Sequence, residues 1–265
     1  MLAQRLLSAL VGIPTVIALV VWAPAWVYTG FVLLLVVGSQ LELYRMFAGA
    51  GIEADQPAGL VLGALVVLAF SASQPVLLPL ALTVSVVVSV ALGLRRRVPA
   101  ERAWAGVTLT LLGVCYCAWL LGHAIWLRAL PGGPALTLYA AGVTWCGESS
   151  AYFVGRRLGR HPLAPRVSPG KTVEGGVAQL VVSALAAIVG APIVGLPLAE
   201  ATAIGAFLGA VGQIGDLSES FLKRSAGAKD AGWLIPGHGG LLDRLDSLLF
   251  NVPALYYWLY FAGTR

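Results

Sequence analysis

Residues 76–94 read VLLPLALTVSVVVSVALGL, nineteen positions without a charge. A helix crossing the hydrocarbon of a bilayer needs about 20 largely apolar residues, and this run meets that need by itself. Its neighbours repeat the pattern. Further apolar runs lie at 6–22, 25–41, 58–73, 104–127, 134–154, 174–195, 197–222 and 241–262, which makes nine in all. Some are short or broken by Pro and Gly, which membrane helices tolerate. The first, after Arg5, has the look of a secretory leader, but Pro24 sits badly for cleavage and many runs follow, so it reads as a retained signal anchor. The expectation is an all-α, polytopic integral membrane protein of about nine transmembrane helices.

Composition supports that solvent. Apolar residues make up 58% of the 265 positions and charged residues 11%, with a mean hydropathy of +0.86. An ordinary soluble domain is nearer half apolar and a quarter charged, so this chain lacks the polar groups to cover a water-facing surface. The net charge of +5 does not point to nucleic acid, because the basic residues sit between the apolar runs, where anionic lipid headgroups attract them. With the amino terminus in the cytoplasm and nine spans alternating, Arg128 and Arg265 fall on the far side. The other fifteen of the 17 basic residues fall on the cytoplasmic side, a strong positive-inside bias. The polar connections 155–173 and 223–240 then share the cytoplasmic face. Cys115, Cys117 and Cys146 all lie within apolar runs and read as buried small hydrophobes rather than a disulfide or metal pair.

Acidic residues are unevenly spread. The first half has Glu42, Glu53 and Asp55 assigned to one loop, and Glu101. The second half places Glu148 inside one run, Asp216 and Glu219 inside another, and Asp243 and Asp246 at the head of the last. Carboxylates at membrane depth are costly and face a partner or a polar cavity. The division expected is therefore a scaffold over 1–133 and a catalytic region over 134–265 open to the cytoplasm.

Residues 215–247 read GDLSESFLKRSAGAKDAGWLIPGHGGLLDRLDS. On a helix Asp216, Glu219, Ser220 and Lys223 stand at i, i+3, i+4 and i+7, on one face. Two carboxylates, a hydroxyl and an ammonium there are wasteful against lipid and suit a bound ion. Lys223, Arg224 and Lys229 lead into a loop of small residues that ends in Pro236-Gly237-His238-Gly239-Gly240, whose glycines let backbone approach a ligand. Asp243 and Asp246 follow one turn apart with Arg244 between them. Hard oxygen ligands of this kind suit Mg²⁺, which binds through one or two carboxylates and substrate phosphates. An intramembrane ion pair of Asp216 with Lys223 is the competing reading, since buried charges often pair. A transporter is the competing class, but its acids would be spread along several spans in both halves. Ser168-Pro169-Gly170-Lys171-Thr172 is not a P-loop, because Pro165 occupies the position of the first glycine. Lys171 still suits a phosphate as a point charge, with Ser168 or Thr172 donating hydrogen bonds.

The run from Ser220 to Asp246 resembles the signature of the phosphatidate cytidylyltransferase (CDP-diacylglycerol synthase) family, without departure over those 27 positions. A second stretch is similar to the same family: Ala151-Tyr152-Phe153-Val154-Gly155-Arg156, then Leu163-Ala164-Pro165, then residues 168–172. Two positions depart from the pattern. Glu148 stands where the family usually has Asp before Ser-x-Ala-Tyr, a carboxylate one methylene longer, and Val173 stands where Trp is common.

The resemblance implies nucleotidyl transfer from CTP to phosphatidic acid at the cytoplasmic side of the cell inner membrane, by a homodimer. In that frame Asp216 and Asp243 are the first metal ligands for Mg²⁺, with Asp246 and Glu148 next, and a second cation fits the acid count. Lys171, Lys223, Arg224 and Lys229 hold phosphates, Ser168, Thr172, Ser220 and Arg244 line the substrates, and His238 contacts a phosphate or shapes its loop. An ether-lipid cytidylyltransferase or a CTP-using polyprenol kinase is the nearest alternative, and the full signature argues against the kinase.

Overall fold

The computed structural model describes residues 2–232 and 239–263, with side chains from Leu10 onward. Among the described residues each of the nine apolar runs forms a helix. These are α1 (Leu2–Trp22), α2 (Ala25–Gly49), α3 (Gln56–Ser71), α4 (Leu77–Arg95), α5 (Ala100–Ala129), α6 (Gly133–Leu158), α7 (Val173–Val194), α8 (Leu198–Ser225) and α9 (Leu242–Phe261). Five of them, α2, α4, α5, α7 and α8, are long and apolar enough to cross a membrane. Their outward faces are apolar: Leu34, Val87, Val189 and Ile193 are all well exposed. A water-facing protein does not line whole helix faces this way, and the chain is a multi-pass membrane protein. Of the remaining helices, α6 carries Glu148, Arg156 and Arg157, and α9 carries Asp243, Arg244 and Asp246, charges that lower their hydropathy.

The chain divides into two compact units, residues 1–126 with 225–244 and residues 127–224 with 245–265. In the first unit a polar seam runs through the helix packing. Tyr44 in α2 donates to the Thr110 carbonyl of α5 at 2.9 Å, and Gln40 donates to the Gly59 carbonyl of α3 at 3.1 Å. In a bilayer each buried polar group needs such a partner. Asp55 caps α3 by accepting from the Ala58 N–H at 3.2 Å, with Pro57 in the first turn where its missing N–H costs nothing. A π-helical stretch, Val114–Trp119, interrupts α5. Cys115, Cys117 and Cys146 are free thiols, and only Cys117 is buried as expected, because Cys115 and Cys146 stand on outward faces of their helices.

In the second unit α6, α7 and α8 pack through small residues. Tyr139 of α6 donates to the Ala187 carbonyl of α7 at 3.2 Å. Gly205 of α8 lies so close to α7 that a Cβ there would stand 2.6 Å from both the Ala184 Cα and the Ser183 carbonyl oxygen. Helices without a hydrophobic drive toward one another associate by this kind of close backbone approach. Asn251 of α9 donates to the Thr144 hydroxyl of α6 at 2.8 Å, and Ser247 donates to the Gly212 carbonyl of α8 at 3.0 Å.

The connection between α6 and α7 is not the plain loop expected from its sequence. It forms a short antiparallel hairpin, β1 (Pro162–Ala164) with β2 (Ser168–Thr172), pairing Pro162 with Thr172 and Ala164 with Ser168. Two side chains of the α7 start hold it in place. The Thr172 hydroxyl accepts from the Gly175 N–H at 3.2 Å as the helix cap, and Glu174 accepts from the Arg160 N–H at 3.1 Å and meets His161 Nδ1 at 2.6 Å.

Candidate active site

The hairpin, α6, α7 and α8 enclose a cleft of about 360 Å³ within the second unit. Glu148, Arg156, Lys171, Gln179, Gln213 and Asp216 give it its polar lining. The β2 strand directs Lys171 toward α8, where Nζ lies 2.7 Å from Asp216 Oδ1. One turn along α8, Glu219 is buried and pairs with Lys223 at 2.6 Å. The i, i+3, i+7 spacing read from the sequence thus does become one polar face.

Asp246 joins that face from α9. Gly215 permits the approach: a Cβ at that position would lie 2.7 Å from the Asp246 carbonyl oxygen. Asp216, Glu219 and Asp246 then offer carboxylate oxygens that all lie within 4.8 Å of one another. Three carboxylates this close repel, and two lysines offset only part of the charge. Hard, clustered oxygen donors with a residual negative charge can hold a metal ion.

The other expected site residues are placed as follows. Glu148 lines the cleft. Thr172 lines it too, while its hydroxyl caps α7. Ser168 and Ser220 are half-buried in β2 and α8. Arg224 is exposed and donates through Nε to the Val167 carbonyl of the hairpin at 3.3 Å. Lys229 and Arg244 are exposed in the first unit. Asp243 also belongs to the first unit, where Oδ2 accepts from the Ala231 N–H at 3.1 Å and the Gly240 N–H at 3.0 Å. His238 lies outside the described residues.

Three contributors escaped the sequence reading. Glu219 was on the polar face but not among the expected metal ligands, although its place three residues after Asp216 carried the signal. Gln179 and Gln213 meet across α7 and α8 at 3.5 Å. No periodicity pairs residues on separate helices, so that contact had no sequence signal.

The sequence pattern of the cytidylyltransferase family matches residues 3–262. The uncharacterized protein YnbB of Escherichia coli is 41% identical over 147 residues, 52% of this chain and 49% of that protein. A phosphatidate cytidylyltransferase of Bacillus subtilis is 45% identical over 129 residues, 48% of each chain. The chain therefore spans about half the length of these two relatives in the matched region. A phosphatidate cytidylyltransferase of Synechocystis sp. is 29% identical over 97% of this chain and 96% of that one. With the family pattern running through all nine helices, this chain belongs to the cytidylyltransferase family.

Proposed function

We propose that this protein joins the cytidylyl group of CTP to phosphatidic acid, giving CDP-diacylglycerol and pyrophosphate. The observation that carries the proposal is the acidic group Asp216, Glu219 and Asp246, bordered by Lys171 and Lys223, beside a cleft that Asp216 and Lys171 line. Family membership and relatives bearing the phosphatidate cytidylyltransferase name support the same reading. A phosphate oxygen of the lipid attacks the α-phosphorus of CTP, the bond to the β-phosphate bridging oxygen breaks, and pyrophosphate leaves with that electron pair. The phosphate monoester is already ionised near neutral pH, so no general base is assigned. Positioning and charge neutralisation do the work in such transfers.

The donor set fits Mg²⁺: Asp216 and Asp246 would hold it, with Glu148 beside them in the cleft lining. Asp243 enters the proposal from its place in the signature. When bound, the cation would neutralise charge on the phosphates, and the acid count leaves room for a second. Lys171, Lys223, Arg224 and Lys229 bind phosphate oxygens, Ser168, Thr172, Ser220 and Arg244 complete the substrate contacts, and His238 serves its loop. The proposal extends to nine spans with a cytoplasmic amino terminus in the inner membrane, a site facing the cytoplasm and a homodimer. Residues 1–133 act as the scaffold and 134–265 as the catalytic region.

The test is incubation of purified protein with CTP labelled at the α-phosphate, phosphatidic acid and Mg²⁺. Label extracted into organic solvent as CDP-diacylglycerol supports the proposal. Label entering lipid only with an ether-lipid or polyprenol acceptor overturns the assigned substrate, and label entering no lipid overturns the activity.

A further inference from the structure

Glu42 is a buried carboxylate in the second half of an apolar helix, and nothing in the proposed reaction uses it. The sequence suggests a loop position beside Glu53, yet α2 continues to Gly49 and leaves Glu42 only 3% exposed. Its two oxygens accept from consecutive backbone groups almost two hundred residues away: Oε1 from the Leu241 N–H at 3.0 Å and Oε2 from the Leu242 N–H at 2.8 Å. Leu242 opens α9. The first N–H groups of a helix have no partner inside it, and a negative charge at that end is favoured by the helix dipole. Glu42 therefore caps α9 from another helix.

Asp243 completes the arrangement. One of its oxygens accepts from both Ala231 and Gly240, so two carboxylates hold four backbone N–H groups on the two sides of residues 233–238. Gly232 and Gly240 have no room to change. A Cβ on Gly232 would lie 2.5 Å from Glu42 Oε1, and one on Gly240 would lie 2.8 Å from both Glu42 Oε2 and Asp243 Oδ2. All of these residues belong to the first unit.

We infer that Glu42 is a positioning residue: it fixes the first turn of α9 and with it the carboxylate of Asp243. This inference rests on the cytidylyl-transfer reading for what Asp243 then does, but the anchoring itself does not. Glu42→Gln keeps the size of the side chain and leaves one carbonyl oxygen to serve two N–H groups. In the purified variant kcat falls tenfold or more, the half-saturating Mg²⁺ concentration rises several-fold, and the KM for CTP changes less than threefold. Glu42→Asp, which keeps the charge and withdraws it by one methylene, recovers part of the loss. Unchanged kcat and Mg²⁺ dependence in Glu42→Gln overturns the inference. So does a loss of activity with unaltered Mg²⁺ dependence, which is what a merely structural role gives.

Amide hydrogen exchange on the wild-type protein provides a readout that needs neither a variant nor activity. The amides of Leu241 and Leu242 exchange slowly if Glu42 holds them, and exchange at the rate of an open loop overturns the anchoring whether or not a variant folds. Should Glu42→Gln fail to fold, Glu42→Asp is read by the same kinetic criteria. A wild-type protein inactive on CTP and phosphatidic acid but protected at these two amides would sink the functional reading and leave the anchor standing.

Discussion

Replacing Asp216 by Asn removes one negative charge from the acidic group and keeps the shape of the side chain. The oxygens of Asp216, Glu219 and Asp246 lie within 4.8 Å of one another, so at an effective dielectric constant of about 20 each pair repels by roughly 3.5 kcal/mol or more. Lys171 at 2.7 Å from Asp216 and Lys223 at 2.6 Å from Glu219 each return roughly 6 kcal/mol on the same scale. These are gross energies, and desolvation cancels much of both. The sign survives: three carboxylates less two ammoniums leave one net negative charge. A site so balanced holds a lone divalent cation weakly and holds it better once CTP phosphates add their charge.

Asp216→Asn brings that balance to zero and deprives Lys171 of its carboxylate, which leaves the ammonium free for phosphate. The loss therefore falls on kcat rather than on the KM for CTP. We expect kcat to fall by about a thousandfold or more, equivalent to roughly 4 kcal/mol of barrier, at every Mg²⁺ concentration tested. The assay is extraction of labelled lipid product across a Mg²⁺ titration, on protein whose elution profile matches the wild type. Activity near wild type, or a loss carried wholly by KM, would refute the metal assignment and return these carboxylates to simple ion pairing.

Lys171→Ala removes a charge-assisted contact worth about 1.5–3 kcal/mol, so the KM for CTP rises roughly ten- to a hundredfold, read from initial rates; an unchanged KM would take Lys171 out of the phosphate site. Cysteine at Gly170, where a Cβ meets nothing within 4 Å, reacts with an impermeant reagent only from the cytoplasmic side. Labelling from outside intact cells would reverse the proposed orientation. Gly227, in the other polar loop, is a poorer probe position because its φ of +67° strains any other residue. Gly205→Ala forces a methyl against the α7 backbone and lowers stability by about 1–3 kcal/mol, seen as a lower thermal midpoint in detergent.

The apolar runs announced the helices because length and hydropathy are local properties that bilayer crossing selects directly. The same locality made the polar face of α8 legible, since Asp216, Glu219 and Lys223 need only the helical repeat to share a side. Pairings between elements were not legible. Within α8 the spacing allowed Lys223 to pair with Asp216 or with Glu219, but only the folded hairpin brings Lys171 to Asp216 and leaves Lys223 with Glu219. Glu42 was lost for the same reason: its partners lie almost two hundred positions along the chain, and a carboxylate near the end of an apolar run reads as the start of a loop. The hairpin at 162–172 is too short for strand alternation to register, and its anchor, Glu174, sits in the next helix.

The distribution of polarity along α8 bears on why a membrane protein would host this chemistry. Through its first fourteen residues, 198–211, the helix has one charge, Glu200, and its buried positions Ala201, Ile204 and Leu208 are apolar. From Gln213 to Arg224 it has an amide, two carboxylates and two cations, and the hairpin supplies Lys171 at that same end. The polar group is thus confined to one end of a helix long enough to span the bilayer, where charged groups avoid the full cost of the hydrocarbon. CTP is soluble and phosphatidic acid is held by its acyl chains, so the two phosphates of the proposed reaction can meet only near a membrane surface. A site at the middle of α8 would be closed to the nucleotide, and one well outside the bilayer would have to lift the lipid out. The end of α8 meets both constraints. In the proposed reaction the apolar remainder of the helix would hold the protein at the depth where its carboxylates and lysines reach the headgroup.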